Sequence, residues 1–179
     1  MIEVEVKARA PEDIEERIAA LGADLQAVEN HHDLYFNSPQ RDFRLSDEAL
    51  RIRIKEEGAR LTYKGPKLDL TTKSRLEMTV KIDDPEQMEQ ILTALGFVLS
   101  ARVLKQRKKY SWEGVIIALD NVEGLGYFVE AEAQGDGSYE EQKGRVVSAM
   151  SKLGLHESIR SSYLELLEEK RKSDEMKEP

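Results

Sequence analysis

A chain of 179 residues, 40% apolar and 35% charged, is long enough for one well-filled core and too apolar for a disordered segment. The absence of cysteine excludes disulfides, thiolate nucleophiles and thiolate metal sites, and the net charge of −8 argues against broad binding to nucleic-acid phosphates. No run approaches the ~18 apolar residues of a membrane-spanning helix and no signal peptide opens the chain, so a cytoplasmic protein with neither membrane nor nucleic-acid partner is expected. Any anion this chain binds must be held locally, by clustered cations.

The chain opens Met1-Ile2-Glu3-Val4-Glu5-Val6-Lys7. In a strand the side chains alternate, so Glu3, Glu5 and Lys7 share one face and Ile2, Val4 and Val6 the other. A helix is expected from Pro11 to Leu21, with proline in its first turn, acids near its positive end and Gly22 just past its stop. Leu50 to Ile54 then reads as a strand with Arg51 and Arg53 on one face. Glu56-Glu57-Gly58 forms the turn to a strand carrying Lys64, which Gly65-Pro66 is expected to stop.

Lys73, Arg75 and Glu77 lie at period two in the next strand, opposite Leu76 and Met78. A second helix follows from Pro85 to Leu95, and its sequence echoes the first: the same offset maps Glu3 onto Glu77 and Lys7 onto Lys81. Two related halves are therefore expected, each a charged strand followed by a helix. Lys105 and Arg107, then Asp120, then Glu130 and Glu132 mark three further strands, the first two separated by the turn Glu113-Gly114. A third helix is expected to end at Lys152, and a last one to span about Ser161 to Lys170. Residues 1–170 read as a single domain, and 171–179 as a charged tail expected to fray. His31, His32 and His156 are scattered without metal-ligand spacing and read as loop or surface residues. Trp112, Tyr35 and Phe36 read as packing residues.

Strands with one charged and one apolar face fit two arrangements. The charged face is solvated while the apolar face packs on helices, or the sheet closes into a barrel with a charged interior and helices outside. The kinds of charge bear on the choice. Arginine forks match phosphate oxygens, and acidic pairs two apart suit hard divalent cations that take oxygen ligands. Together they make equipment for phosphoryl chemistry.

The ordered set Glu3-x-Glu5-x-Lys7, Arg51-x-Arg53, Lys64, Arg75-x-Glu77, Lys105-x-Arg107, Asp120 and Glu130-x-Glu132 resembles the CYTH superfamily, the triphosphate tunnel metalloenzymes. Asp33-Leu34-Tyr35-Phe36, Ala49 to Arg53, Leu61 to Lys67 and Leu95-Gly96-Phe97 resemble its class IV adenylyl cyclases. The resemblance implies an α+β fold: a closed antiparallel barrel of about eight strands, with helices packed outside. It implies conversion of ATP to 3′,5′-cyclic AMP and pyrophosphate with Mg²⁺ or Mn²⁺, usually in a homodimer. Carried onto this sequence, it implies metal ligands among Glu3, Glu5, Glu77, Asp120, Glu130 and Glu132. It implies a triphosphate cradle of Lys7, Arg51, Arg53, Lys64, Lys73, Arg75, Lys105 and Arg107, with Glu5, Asp120, Lys64 and Arg107 at the chemistry. The alternatives are a hydrolase of inorganic, thiamine or nucleoside triphosphate, and a non-catalytic polyphosphate-binding module.

Overall fold

The computed structural model describes residues 2–68 and 74–176. One antiparallel sheet contains β1 (Ile2–Glu3), β2 (Glu5–Arg9), β3 (Asp24–Asn37), β4 (Ala49–Lys55), β5 (Gly58–Lys67), β6 (Arg75–Ile82), β7 (Val98–Trp112), β8 (Val115–Val122) and β9 (Gly126–Ala133). Four helices accompany it: α1 (Ile14–Leu21), α2 (Pro85–Ala94), α3 (Tyr139–Lys152) and α4 (Tyr163–Glu175). The strand order is β1-β6-β5-β4-β3-β7-β8-β9-β2. β1 and β2 are two parts of one N-terminal strand interrupted at Val4, which makes eight strands in a curled sheet.

The expected closed barrel is closed at one end only. β1 meets β6 through Ile2↔Leu76 and Glu3↔Arg75, whereas β2 pairs with β9 from Glu5 to Arg9. Beyond Glu3 the chain takes another neighbour. The Ile159 N–H donates to the Lys7 carbonyl at 2.7 Å, and the Lys7 ammonium donates to the Ser161 carbonyl. The connector between α3 and α4 thus sits on the edge of β2 that β6 would need for full closure.

The two related halves are visible as a repeated order, β-α-β-β-β, first through β5 and then from β6 to β9. They meet along β3 and β7, where Asp24 pairs with Ser111 and Asn37 with Val98. The offset that aligns the helices carries Asp24 to Val98 and Asn37 to Ser111, so the ladder maps onto itself. The correspondence does not extend to burial: Lys7 is fully buried, while Lys81 is exposed.

Alternation along the strands sorts the side chains. Ile117, Leu119, Val129 and Ala131 face outward and pack with Ile14 and Ile18 of α1 and Val146 and Met150 of α3. Leu34, Phe36 and Ile52 pack with Leu92 of α2. Burying each such side chain contributes about 1.5–3 kcal/mol, which commits the outer face to the helices and leaves the charged face for the concave interior.

Helix ends follow the sequence signals. Asp84 accepts from the Gln87 N–H ahead of α2, and reciprocal capping boxes open α3 (Ser138, Glu141) and α4 (Ser162, Glu165). Three boundaries differ from expectation: α1 begins at Ile14, three residues after the expected Pro11, because residues 12 and 13 form a turn first. β5 continues through Gly65-Pro66 to Lys67, because register shifts between Lys64 and Lys67 where β6 pairs with it. That irregularity leaves room for a proline without a donor. α4 runs past Lys170 to Glu175, held at its start by its cap and by the Lys170 ammonium donating to the Gly124 carbonyl at 2.5 Å. No helix among the described residues is long and apolar enough to cross a membrane.

Candidate active site

The concave side of the sheet encloses a cavity of about 140 Å³. Arg51 and Arg53 of β4, Lys64 of β5, Arg75 of β6, and Lys105 and Arg107 of β7 reach it, as do Glu3, Glu5, Glu130 and Glu132 from β1, β2 and β9. The mouth is framed by Phe43, Arg44, Asp47 and Glu48 of the β3–β4 loop and by the first turn of α4. The choice between a solvated charged face and a charged interior is thereby decided for the interior. Arg51, Arg75, Lys105 and Glu130 are each at most 9% exposed, which a solvated face would not allow.

Buried charges need partners, and the interior supplies them in three knots. In the first, Asp33 of β3 accepts from Arg53 Nε and Nη2, both at 2.7 Å, with Arg51 at 4.0 Å. Burial works against this carboxylate, but the two guanidinium charges hold it well below its ordinary range. In the second, Lys64 Nζ donates to Glu3 at 3.0 Å and also pairs with Glu77. Burial raises Glu3; the hydrogen bond from Glu3 and the Lys64 charge outweigh burial at Glu77 and lower it.

Asp120 forms the third knot. It is fully buried and accepts from Lys105 Nζ at 3.1 Å, Arg107 Nε and Nη2 at 2.6 Å each, and the Tyr163 hydroxyl at 2.7 Å. Arg107 also donates to Glu130 at 2.5 Å. Despite burial, Lys105 and Arg107 hold Asp120 down to about 2. Lys105, buried and beside Arg107, is lowered to about 8.

The remaining wall is acidic. Glu5 and Glu132 are cross-strand partners, and burial with Glu3 and Glu5 nearby pushes Glu132 up to about 7. Carboxylates crowded this way fit a hard divalent cation, which would relieve their repulsion with oxygen ligands. Among the described residues no three carboxylates or imidazoles are drawn together as a ready chelate. The donor chemistry fits a cation; the convergence of ligands is left to its binding.

Of the residues proposed from sequence, Glu3, Glu5, Arg51, Arg53, Lys64, Arg75, Lys105, Arg107, Glu130 and Glu132 come together around the cavity. Glu77 and Asp120 lie behind that lining, engaged with the lysines and arginines in front of them. Lys7 lies behind it too: its ammonium sits 4.2 Å from the Tyr163 ring centroid and 5.9 Å from that of Phe128. Lys73 lies outside the described residues. Phe36 and Trp112 pack as expected, and so does Tyr35, which joins a buried cluster with Val103, Val122 and Phe128 and also lines the cavity.

Three residues of the site were missed. Asp33 sits at period two from Tyr35, a signal that its neighbouring apolar run obscures. Asp47, on the loop, pairs with Lys67 Nζ at 2.5 Å and with Arg75 Nη2 at 3.5 Å. Tyr163 arrives from a helix, where strand periodicity gives no hint. His31 is no surface residue: it is 4% exposed on β3, opposite Lys105, with Nε2 at 2.7 Å from Glu29. Burial and the charges of Arg53 and Lys105 lower it to about 3, so the ring is neutral and donates to Glu29.

Comparison with known proteins bears on what this arrangement is. A protein of Methanocaldococcus jannaschii that carries the provisional name adenylate cyclase is 40% identical over 172 residues, covering 93% of this chain and 98% of its own. The structure of the PH1819 protein of Pyrococcus horikoshii superposes with a TM-score of 0.88 at 43% identity, covering 94% of this chain and 99% of that one. A provisionally named adenylyl cyclase of Hippeastrum, described as revealing a dominant triphosphatase activity, shares the fold with a TM-score of 0.69 at 23% identity, covering 94% and 95%. The CYTH domain model matches residues 1–163, so the chain belongs to the CYTH-domain family, whose sheet binds triphosphate substrates.

Proposed function

We propose that this chain is an adenylyl cyclase of the class IV type, acting on the triphosphate of ATP with a divalent cation, Mg²⁺ or Mn²⁺. The observation that carries the reading is the sharing of one cavity by six cations and four carboxylates borne on strands. A polyanion calls for the first set, and a hard metal ion accompanying it calls for the second. A binding module for anions alone would not need the acidic wall. The name of the Methanocaldococcus relative supports the choice of cyclase.

In this reaction the ribose 3′-oxygen forms a bond to the α-phosphorus while the bond to the bridging oxygen of the leaving pyrophosphate breaks. Glu5, Glu130 and Glu132, with Glu3 beside them, would hold the cation, which supplies charge neutralisation and a lowered hydroxyl pKa. Arg51, Arg53, Lys64, Arg75, Lys105 and Arg107 receive the phosphate oxygens and stabilise the charge that gathers on pyrophosphate. Asp33 and Asp120 fix the guanidinium planes before substrate arrives, so little reorganisation accompanies binding. Asp120, held at about 2 and already accepting from three side chains, is poorly suited to take the hydroxyl proton, which leaves to solvent.

One observation favours a second reading, hydrolysis of a triphosphate. No asparagine or glutamine is among the described residues lining the cavity, so none of those side chains carries an amide to read a base edge. The test is product analysis of ATP incubated with the protein and Mg²⁺ or Mn²⁺, with Glu5→Gln as control. Cyclic AMP with equimolar pyrophosphate establishes the cyclase. ADP and phosphate, with faster turnover of tripolyphosphate, establish the hydrolase and overturn the first reading.

A further inference from the structure

Tyr163 is the first residue of α4, and its hydroxyl reaches the most enclosed carboxylate of the interior, Asp120, at 2.7 Å. The residue itself is only 6% exposed. Its ring is flanked by two ammonium groups, Lys7 Nζ at 4.2 Å and Lys105 Nζ at 4.8 Å from the centroid. Phe128, fully buried, meets it edge-on at 5.2 Å between centroids. One side chain therefore touches a carboxylate through its edge and two cations through its π system. Burial and the neighbouring Glu130 and Asp120 carboxylates hold the phenol protonated, so it serves as a donor.

Asp120 has about four acceptor sites as a carboxylate. Its Oδ2 accepts from Lys105, Arg107 Nη2 and Tyr163, and its Oδ1 from Arg107 Nε. Its evident task is to orient Lys105 and Arg107, both of which line the cavity. Tyr163 closes the set of donors and fixes which oxygen each cation uses.

We infer that Tyr163 is a positioning residue of the triphosphate site: through Asp120 and the flanking lysines, it orders the cations that receive the phosphates, so α4 completes the site. Asp120 accordingly belongs to the anion-holding side of the site. The inference rests on the triphosphate reading given above.

The test measures binding by calorimetry on the full chain, without turnover. Tripolyphosphate is titrated in the presence of a chelator, and Mn²⁺ is titrated alone. Wild type is compared with Tyr163→Phe, Tyr163→Leu, Asp120→Asn and the Tyr163→Phe/Asp120→Asn double variant. Loss of one hydrogen bond to a charged group predicts tripolyphosphate binding weakened roughly tenfold in Tyr163→Phe, with Mn²⁺ affinity unchanged. Tyr163→Leu, which also loses the ring, weakens it further, to roughly a hundredfold. The double variant is no weaker than Asp120→Asn alone, because both act through one contact.

Unchanged tripolyphosphate affinity in Tyr163→Phe, with only a lower melting temperature, would make Tyr163 a packing residue and overturn the inference. An equal loss of Mn²⁺ affinity in Asp120→Asn would return Asp120 to the metal. Failure of wild type to bind tripolyphosphate at all would overturn the triphosphate reading itself, and the inference with it.

Discussion

Replacing Glu132 by glutamine removes a carboxyl that the fold holds up at about 7, against an ordinary value of 4.5. Burial is the main cause, and Glu3, Glu5 and Glu130 add to it while Arg107 opposes it. Between those two pH values the folded chain keeps a proton that the unfolded chain has released. Folding stability therefore falls as pH rises through that window, and the full penalty applies above 7. At 1.36 kcal/mol per unit the penalty is at most about 3 kcal/mol, and relaxation of Glu3 and Glu5 lowers it toward about 2. Glutamine cannot ionise, so Glu132→Gln should match wild type near pH 5 and exceed it by about 2–3 kcal/mol at pH 8 without metal.

The assay is urea denaturation in a chelator at both pH values, comparing midpoints and slopes. For a chain of this size the melting temperature at pH 8 should rise by roughly 5–10 °C. His31 titrates with the opposite sign over part of the window, but it is common to both proteins and drops out of the difference. Added Mn²⁺ should stabilise wild type more than the variant, because a cation relieves the repulsion that the lost carboxylate caused. An equal stability difference at pH 5 and pH 8 would refute the account of an acidic wall under strain.

Other expectations follow from single contacts. Asp33→Asn leaves Arg53 buried without its carboxylate and should cost about 3–5 kcal/mol in urea denaturation; a loss below 1 kcal/mol would mean the arginine finds another partner. His31 has its folded value lowered from 6.5 to about 3, so its stabilising contribution is complete above 6.5 and is lost as pH falls toward 3. Between pH 7 and pH 4.5 wild type should therefore lose about 2–3 kcal/mol more than His31→Gln, whose amide can still donate to Glu29. Ser162→Ala removes the cap that opens α4 and should lower stability by about 1 kcal/mol, read as a melting-point drop of about 2–4 °C.

The charged interior was legible because a strand's period is fixed: once Glu3, Glu5, Arg51, Arg53, Arg75, Lys105, Arg107, Glu130 and Glu132 stand two apart, alternation sends them to one face. Helix positions were legible from Pro85 and Gly22, whose stereochemistry allows few alternatives. Less was legible where three-dimensional neighbours decide. Nothing near Lys7 in sequence announces that residues 159–161 will occupy its strand's free edge, so the degree of barrel closure was misread. Asp120 was expected as a ligand because carboxylates accompany metals in such patterns; its contacts with Lys105, Arg107 and Tyr163 could not be read from the sequence. His31 was misplaced for a related reason. A lone histidine carries no period of its own, and its burial is set by Lys105 directly across the ladder.

The contact that finishes the interior joins Lys7 to Ser161, 154 positions apart. A ribosome must therefore release nearly the whole chain before the N-terminal strand can receive its last neighbour. Until then, the outer edge of β2 at Lys7 lacks its partner and the charged interior stays open to water. Loop closure over such a span is entropically slow, so the last folding step should be the docking of residues 159–161 on β2. Activity would then emerge late and all at once, and a chain stopped short of residue 159 would carry β1 to β9 yet lack the outer neighbour of β2 and the Tyr163 donor to Asp120.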